Sequence, residues 1–306
     1  MNKLTKLGVS ALCGSLASLT AANAGEYSVT GAAIATWTER GSTGLTGGKI
    51  GLSKQFTLNG SGEMDNGMSW SMYAATDDID DSGFSVTSSA MTLNLNGLGS
   101  IHLNQDAGSP TSSADDKMPS AYEETWDGLT TGLHRVDGVA DGSILRYKTE
   151  AGLLPMDSTF EIAYNNDWDH TAEVADGGTG NMGSNAHGSG YDIGLTTKPI
   201  DGLTIGLAYA EIDTSSTLYE ADQEEGTYYA TYATGGFTVG FQQSYDDPNY
   251  VDDQSVEYYD NQLWGISFQV NDNLSVSYGE YDSKKVMNGV STVSYTHLTL
   301  PTNREV

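Results

Sequence analysis

Short segments of alternating polarity run through this chain, and the gaps between them are by turns tight and long. Few folds produce both features. In LTIGLAYAE, Leu203, Ile205, Leu207 and Tyr209 share one parity, while Thr204, Gly206, Ala208 and Ala210 share the other. The same split holds for Phe160, Ile162 and Tyr164, for Trp264, Ile266, Phe268 and Val270, and for Leu274, Val276 and Tyr278 against their neighbours. Successive strand side chains point to opposite faces, so each segment is a two-faced strand. A soluble β-sandwich gives the same alternation, and the gap lengths decide between the two. Strands are predicted near 27–37, 48–58, 67–76, 84–95, 99–105, 143–150, 158–165, 190–198, 203–211, 227–234, 236–245, 262–270 and 273–282. The gaps at 59–66, 96–98, 151–157, 199–202, 235 and 271–272 are tight, whereas 106–142, 166–189, 212–226 and 246–261 are long. Barrels that span a membrane put short turns on one rim and long loops on the other. A sandwich has no reason to place its long loops at every second connection. The expectation is an all-β, transmembrane antiparallel β-barrel.

The first 24 residues read as a secretory leader. Lys3 and Lys6 form a basic start, Leu7 to Leu19 is an apolar and small-residue stretch, and Ala22-Asn23-Ala24 is an A-x-A cleavage site. Cys13, the single cysteine, lies within that leader, so the mature protein has neither disulfide nor thiol chemistry. The net charge is −28, and the leader removes two lysines and no acid. Such acidity repels nucleic acid. Beyond the leader no apolar run approaches the roughly 20 residues of a transmembrane helix, so strands must build any span. The 18 tyrosines, many alternating with Leu, Ile and Val, set the chain apart from a disordered acidic one.

Aromatics fall near strand ends, where a ring with a polar tip suits the lipid boundary: Tyr27, Trp37, Trp70, Tyr73, Tyr147, Tyr191, Tyr209, Tyr232, Tyr245, Trp264 and Tyr281. Two places break the pattern. Lys54 shares parity with Ile50, Leu52, Phe56 and Leu58, and parity switches between Val86 and Met91. A bulge or a different strand limit is expected there.

With leader, alternation and loop order together, residues 25–293 resemble the general porins of Gram-negative bacteria. The likeness includes a longest loop after the fifth strand, Asp106 to Gly142, although KMPSAYEETWDG stands there in place of the family's P-E-F-G-G run. The resemblance implies a 16-stranded barrel in the cell outer membrane and a homotrimer surrounded by lipid. It also implies passive diffusion of small hydrophilic solutes, with the long loop folded inward as a constriction. About 13 native strands are present. The final stretch SYTHLTLPTNREV, residues 294–306, resembles a translated sequencing adapter, so a non-native tail and about three missing strands are expected.

By loop position, the constriction candidates are Asp115, Asp116, Lys117, Glu123, Glu124 and Asp127, facing Arg146 and Lys148 of the next strand. Acids facing cations across a narrow, low-dielectric pore create a transverse field. Other acidic loops, with Asp167, Asp169, Glu173 and Asp176, or with Asp246, Asp247, Asp252, Asp253 and Glu257, offer hard oxygen ligands without EF-hand spacing. They read as solvated, and neither a metal nor another cofactor is expected. Ser100, His102 and Asn104 share one strand face, the residue set of outer-membrane phospholipases, but without the H-x-S-N-G arrangement of those enzymes. The expectation is a channel that makes and breaks no bond, with modest cation preference. The alternatives are a substrate-selective channel, for example for sugars, and behind it a phospholipase or an adhesin.

Overall fold

The computed structural model describes residues 25–39, 48–76, 86–105, 107–121, 134–140, 143–166, 168, 187–214, 221–249, 256–271, 274–287, 290–297 and 302–303. The leader and Cys13 lie outside them. The chain divides into two compact units, 1–96 with 100–107, and 97–99 with 108–306.

The first unit is an antiparallel meander of β1 (Gly25–Glu39), β2 (Gly48–Glu63), β3 (Ser69–Thr76), β4 (Ser88–Asn94) and β5 (Ser100–Gln105). Register places Tyr27, Gly60, Met72, Met91 and Leu103 in one row across all five strands. Met91 and Leu103 in that row are more than half exposed, at 54% and 56%. The opposite face is polar. There Asn94 donates to Ser69 at 3.1 Å, and the Thr92 hydroxyl lies 3.0 Å from His102 Nδ1.

The second unit continues the pattern with β6 (Ser143–Lys148), β7 (Thr159–Asn165), β8 (His187–Ile200), β9 (Leu203–Thr214), β10 (Gln223–Thr234), β11 (Phe237–Asp247), β12 (Tyr258–Asn271), β13 (Leu274–Met287) and β14 (Val290–His297). A two-residue strand, β15 (Thr302–Asn303), pairs with the start of β13. Strands of 12 to 14 residues such as β8 and β9 exceed the roughly 9 to 11 needed to cross hydrocarbon at a tilt. Between β10 and β11 the turn is Gly235-Gly236, with φ of +55° and +89°. Two positive φ values in succession twist a hairpin to match its strands, and only glycine adopts them without cost.

On one face of this unit the apolar residues point outward. Leu207 is 52% exposed, and Leu145, Tyr164, Leu195, Tyr228, Val239, Phe241, Trp264 and Ile266 are exposed beside it. Aromatic pairs cross this face, with Phe237 stacked on Phe268 at 4.1 Å and Trp264 tilted against Tyr278 at 5.2 Å. A row of exposed apolar side chains along each strand of one face from β6 to β13 is the pattern that lipid, not water, solvates. No helix among the described residues is long and apolar enough to cross a membrane. The crossing is made by strands.

All 13 anticipated strands are present, with limits shifted by a few residues. β2 runs on to Glu63, so its connection is 64–68 rather than 59–66. Val86 precedes β4, which begins at Ser88, and this strand limit accounts for the parity change. At Lys54 no bulge occurs: the β1–β2 register is unbroken, and Lys54 lies opposite Ala33. Two aromatics are corrected. Tyr281 is fully buried on the polar face, because its parity opposes that of Tyr278, and Tyr73 shares the polar row of Asn59, Ala90 and Asn104, opposite in parity to Met72.

Candidate functional site: a loop seated on the polar wall

The face of the second unit opposite the lipid band carries the long loop, described at 108–121 and 134–140. Single polar side chains of the wall hold it. Thr111 donates its backbone N–H to both carboxylate oxygens of Asp192, at 3.1 and 2.9 Å, and its hydroxyl to Oδ1 at 2.7 Å. Glu225 Oε2 accepts the N–H groups of Asp137 and Gly138 at 2.7 and 2.8 Å. Gln242, also fully buried, accepts from Lys117 N–H at 2.8 Å. Its amide nitrogen donates to the carbonyls of Ala114 and Asp115, at 2.6 and 3.1 Å, and to the Thr227 hydroxyl at 2.9 Å. Backbone groups of a loop buried against a wall must find partners, and these three residues supply them.

Further along, Tyr281 donates its hydroxyl to the carbonyl of His134, whose ring hydrogen-bonds Asp246 and stacks on Tyr259 at 3.7 Å. Apolar contacts complete the seat, where Val139 packs with Ile144, Ala163 and Ile212. Small wall residues make the room. A Cβ at Gly194 would lie 2.9 Å from Pro110, and one at Gly240 would lie 2.7 Å from Pro119 and 3.2 Å from Met118. The loop itself fills the space over Gly240 and Gly265, where Met118 and Pro119 lie. Partial burial holds the Asp137 carboxyl above the usual carboxylate range; the charges of Arg135 and His134 pull it down, while Asp115 and Asp246 add to the rise.

Asp115 pairs with Arg135 inside the loop, at 2.9 Å. Asp116 caps the turn that follows, accepting Met118 N–H at 2.8 Å. Glu123, Glu124 and Asp127 lie outside the described residues. Lys117, Arg146 and Lys148 come together around a cavity of about 340 Å³ between loop and wall, with Ser113, Glu161 and Tyr229 also in its lining. The carboxylate beside the wall cations is therefore Glu161 of β7. It pairs with Arg146 and, at 3.1 Å, with Lys148. Arg146 and Lys148 do share a face of β6, as their spacing implied, and their register neighbours are Ala163 and Glu161.

Asp192, Glu225, Gln242 and Tyr281 were not singled out as site residues from the sequence. The signal was present: each is a polar or large residue on the inward parity of a strand whose other parity is apolar. Ser100 Oγ does lie 2.7 Å from His102 Nε2, but the partner on His102 Nδ1 is Thr92, at 3.0 Å, in place of a carboxamide or carboxylate. Of the acids read as possible cation ligands, Asp246 is buried against His134. Asp247 accepts Tyr245 and Asn249 at 3.2 and 3.1 Å. Among the described residues one trio, Glu211, Asp213 and Asp222, brings its oxygens within 4.8 Å of one another at the strand ends. Hydroxyls already engage all three, Tyr191 to Glu211 at 2.7 Å, Ser189 to Asp213 at 2.6 Å and Thr214 to Asp222 at 3.5 Å.

Consecutive antiparallel strands, a lipid-facing apolar band and a long loop seated on the polar face define a transmembrane β-barrel with an inward loop. Among the structures it matches are porins of the outer membrane. OmpF of Salmonella typhi, solved in complex with daunomycin, superposes with a TM-score of 0.58 at 16% identity, covering 85% of this chain and 78% of that one. OmpT, an outer membrane protein of Vibrio cholerae, gives 0.60 at 11% identity, covering 90% and 80%. No family model matches the sequence, and neither does any curated protein. The fold is the porin fold, a fold of the cell outer membrane.

Proposed function

We propose that the chain is a passive diffusion channel for small hydrophilic solutes and ions, with modest cation preference. The observation that carries this reading is the loop itself: it is seated by Asp192, Glu225 and Gln242 on the face turned away from lipid, where it narrows any path along the wall. Charged and polar groups lining a restricted waist sort solutes by size and by field, without chemistry. Cation preference follows from the surplus of acid, a net charge of −28, which raises cation concentration at the mouths. In this reading Asp115, Asp116, Lys117, Glu123, Glu124 and Asp127 belong to the loop side of the waist, and Arg146 and Lys148 to its wall. The protein sits in outer-membrane lipid as a homotrimer.

Reversal potentials in a salt gradient test the reading. Replacing Glu123 and Glu124 by Gln lowers cation preference, whereas replacing Arg146 and Lys148 by Gln raises it, and both effects shrink at high salt as screening shortens. Unchanged potentials in both double variants would remove the loop from the waist. A protein that inserts but passes no current would overturn the channel.

A further inference from the structure

The cavity between loop and wall has a charge balance opposite to that of the whole chain. Three cations line it, Lys117 from the loop and Arg146 and Lys148 from β6, against the single carboxylate of Glu161. Glu161 takes one nitrogen of Arg146 and, at 3.1 Å, the ammonium of Lys148. It does not satisfy the site. Arg146 Nε is buried and has no acceptor among the described residues, although a buried guanidinium donor ordinarily finds one. Lys117 has no ion-pair partner among the described residues, and its backbone is pinned by Gln242 at 2.8 Å, which fixes the position from which the ammonium projects. Pro110, Ala114, Leu207 and Ala208 supply an apolar part of the lining. Ser113 offers a hydroxyl, while Tyr229 lies across Gly206, with its hydroxyl 3.5 Å from that of Thr196.

We propose that this cavity binds a tetrahedral dianion of the phosphate type, free or as the phosphate end of a small solute. Among the described residues the cavity carries two positive charges in excess, which favours a dianion over chloride, and in a partly enclosed site that preference exceeds its value in water. A guanidinium and two ammonium groups present many donors and no acceptor, which suits a ligand that is all acceptor. About 340 Å³ is more than a bare ion needs and leaves room for a short organic substituent. The site deepens the channel reading and rests on it for the route by which the ion arrives.

The test is equilibrium binding of labelled inorganic phosphate to the full-length protein refolded in detergent, with glycerol phosphate as a parallel arm that separates free ion from phosphate ester. One saturable site per chain is expected, weakened by rising salt and indifferent to equal concentrations of chloride beyond screening. Lys117→Gln, which breaks no ion pair among the described residues, should weaken binding about tenfold. Glu161→Gln should tighten it, since it frees Arg146 and Lys148, and a merely structural role for Glu161 would not give that sign. Absence of saturable binding in the wild type, or equal affinity in Lys117→Gln, overturns the proposal. Conductance is measured on the same preparations: loss of current with binding intact refutes the channel and leaves the site, whereas current without binding does the reverse.

Discussion

Removing the Asp192 carboxylate should unseat the long loop while the wall stays folded. Thr111 is fully buried, at 0% exposure, and directs both its N–H and its hydroxyl at Asp192. Asp192→Ala therefore leaves two buried donors without an acceptor, at about 1 to 3 kcal/mol each. The substitution also relieves the desolvation of a buried carboxylate, which works in the opposite direction. A net cost of about 2 to 3 kcal/mol is expected, a shift of roughly 30- to 150-fold in the ratio of seated to unseated loop. β8 keeps its register with β7 and β9, so strand content and heat resistance should be unchanged. Gly138→Ala attacks the same seat from the other side. Its φ is +59°, and a Cβ there would meet the Asp192 carboxylate, with Ser109 Oγ at 2.6 Å and Thr111 Cβ at 2.9 Å. The assays are limited proteolysis within 108–140 and single-channel conductance; each single variant should be cut faster and conduct more. Because both changes act on one contact, the double variant should be no worse than the stronger single one. Cleavage of Asp192→Ala at the wild-type rate, or strictly additive effects in the double variant, would refute the seat.

Three further outcomes follow from parity and burial. Leu207→Arg puts charge on the lipid face and should cost about 2 to 4 kcal/mol if near the midplane, measured by denaturant unfolding from vesicles. Ala208→Arg, one residue on, enters the cavity lining instead, and should lower conductance while leaving membrane insertion intact. The folded Asp137 carboxyl titrates above its ordinary value of 3.8, so its contribution to seating is complete below that pH and is lost as pH rises through the raised value. Loop proteolysis should therefore slow on acidification, and Asp137→Asn should flatten that slope; an unchanged slope would discount the residue. Tyr281→Phe removes the hydroxyl that holds the His134 carbonyl and should speed cleavage of 134–140 at a cost of about 1 kcal/mol, with no change in strand content.

Strand identity was legible in the sequence because a strand writes its two environments at a period of two. Leu207 and Ala208 needed no partner to declare which side each faced. Loop order was legible for a similar local reason, since turn length is a count of residues. The seat of the long loop was not. Asp192, Gln242 and Glu225 lie between 81 and 128 positions from the groups they bind, and no local pattern encodes a partner at that distance. Pooling of charge suggested that loop acids face Arg146 and Lys148. Tertiary register adds Glu161 beside them, because β7 lies against β6, and Asp115 finds Arg135 within the loop, while Glu123, Glu124 and Asp127 lie outside the described residues. Alternation by itself settled which residues meet lipid and which meet the polar side. Which polar residues meet one another was decided only when the loop folded back over the glycines of the wall, where the absence of a Cβ lets backbone and side chain approach.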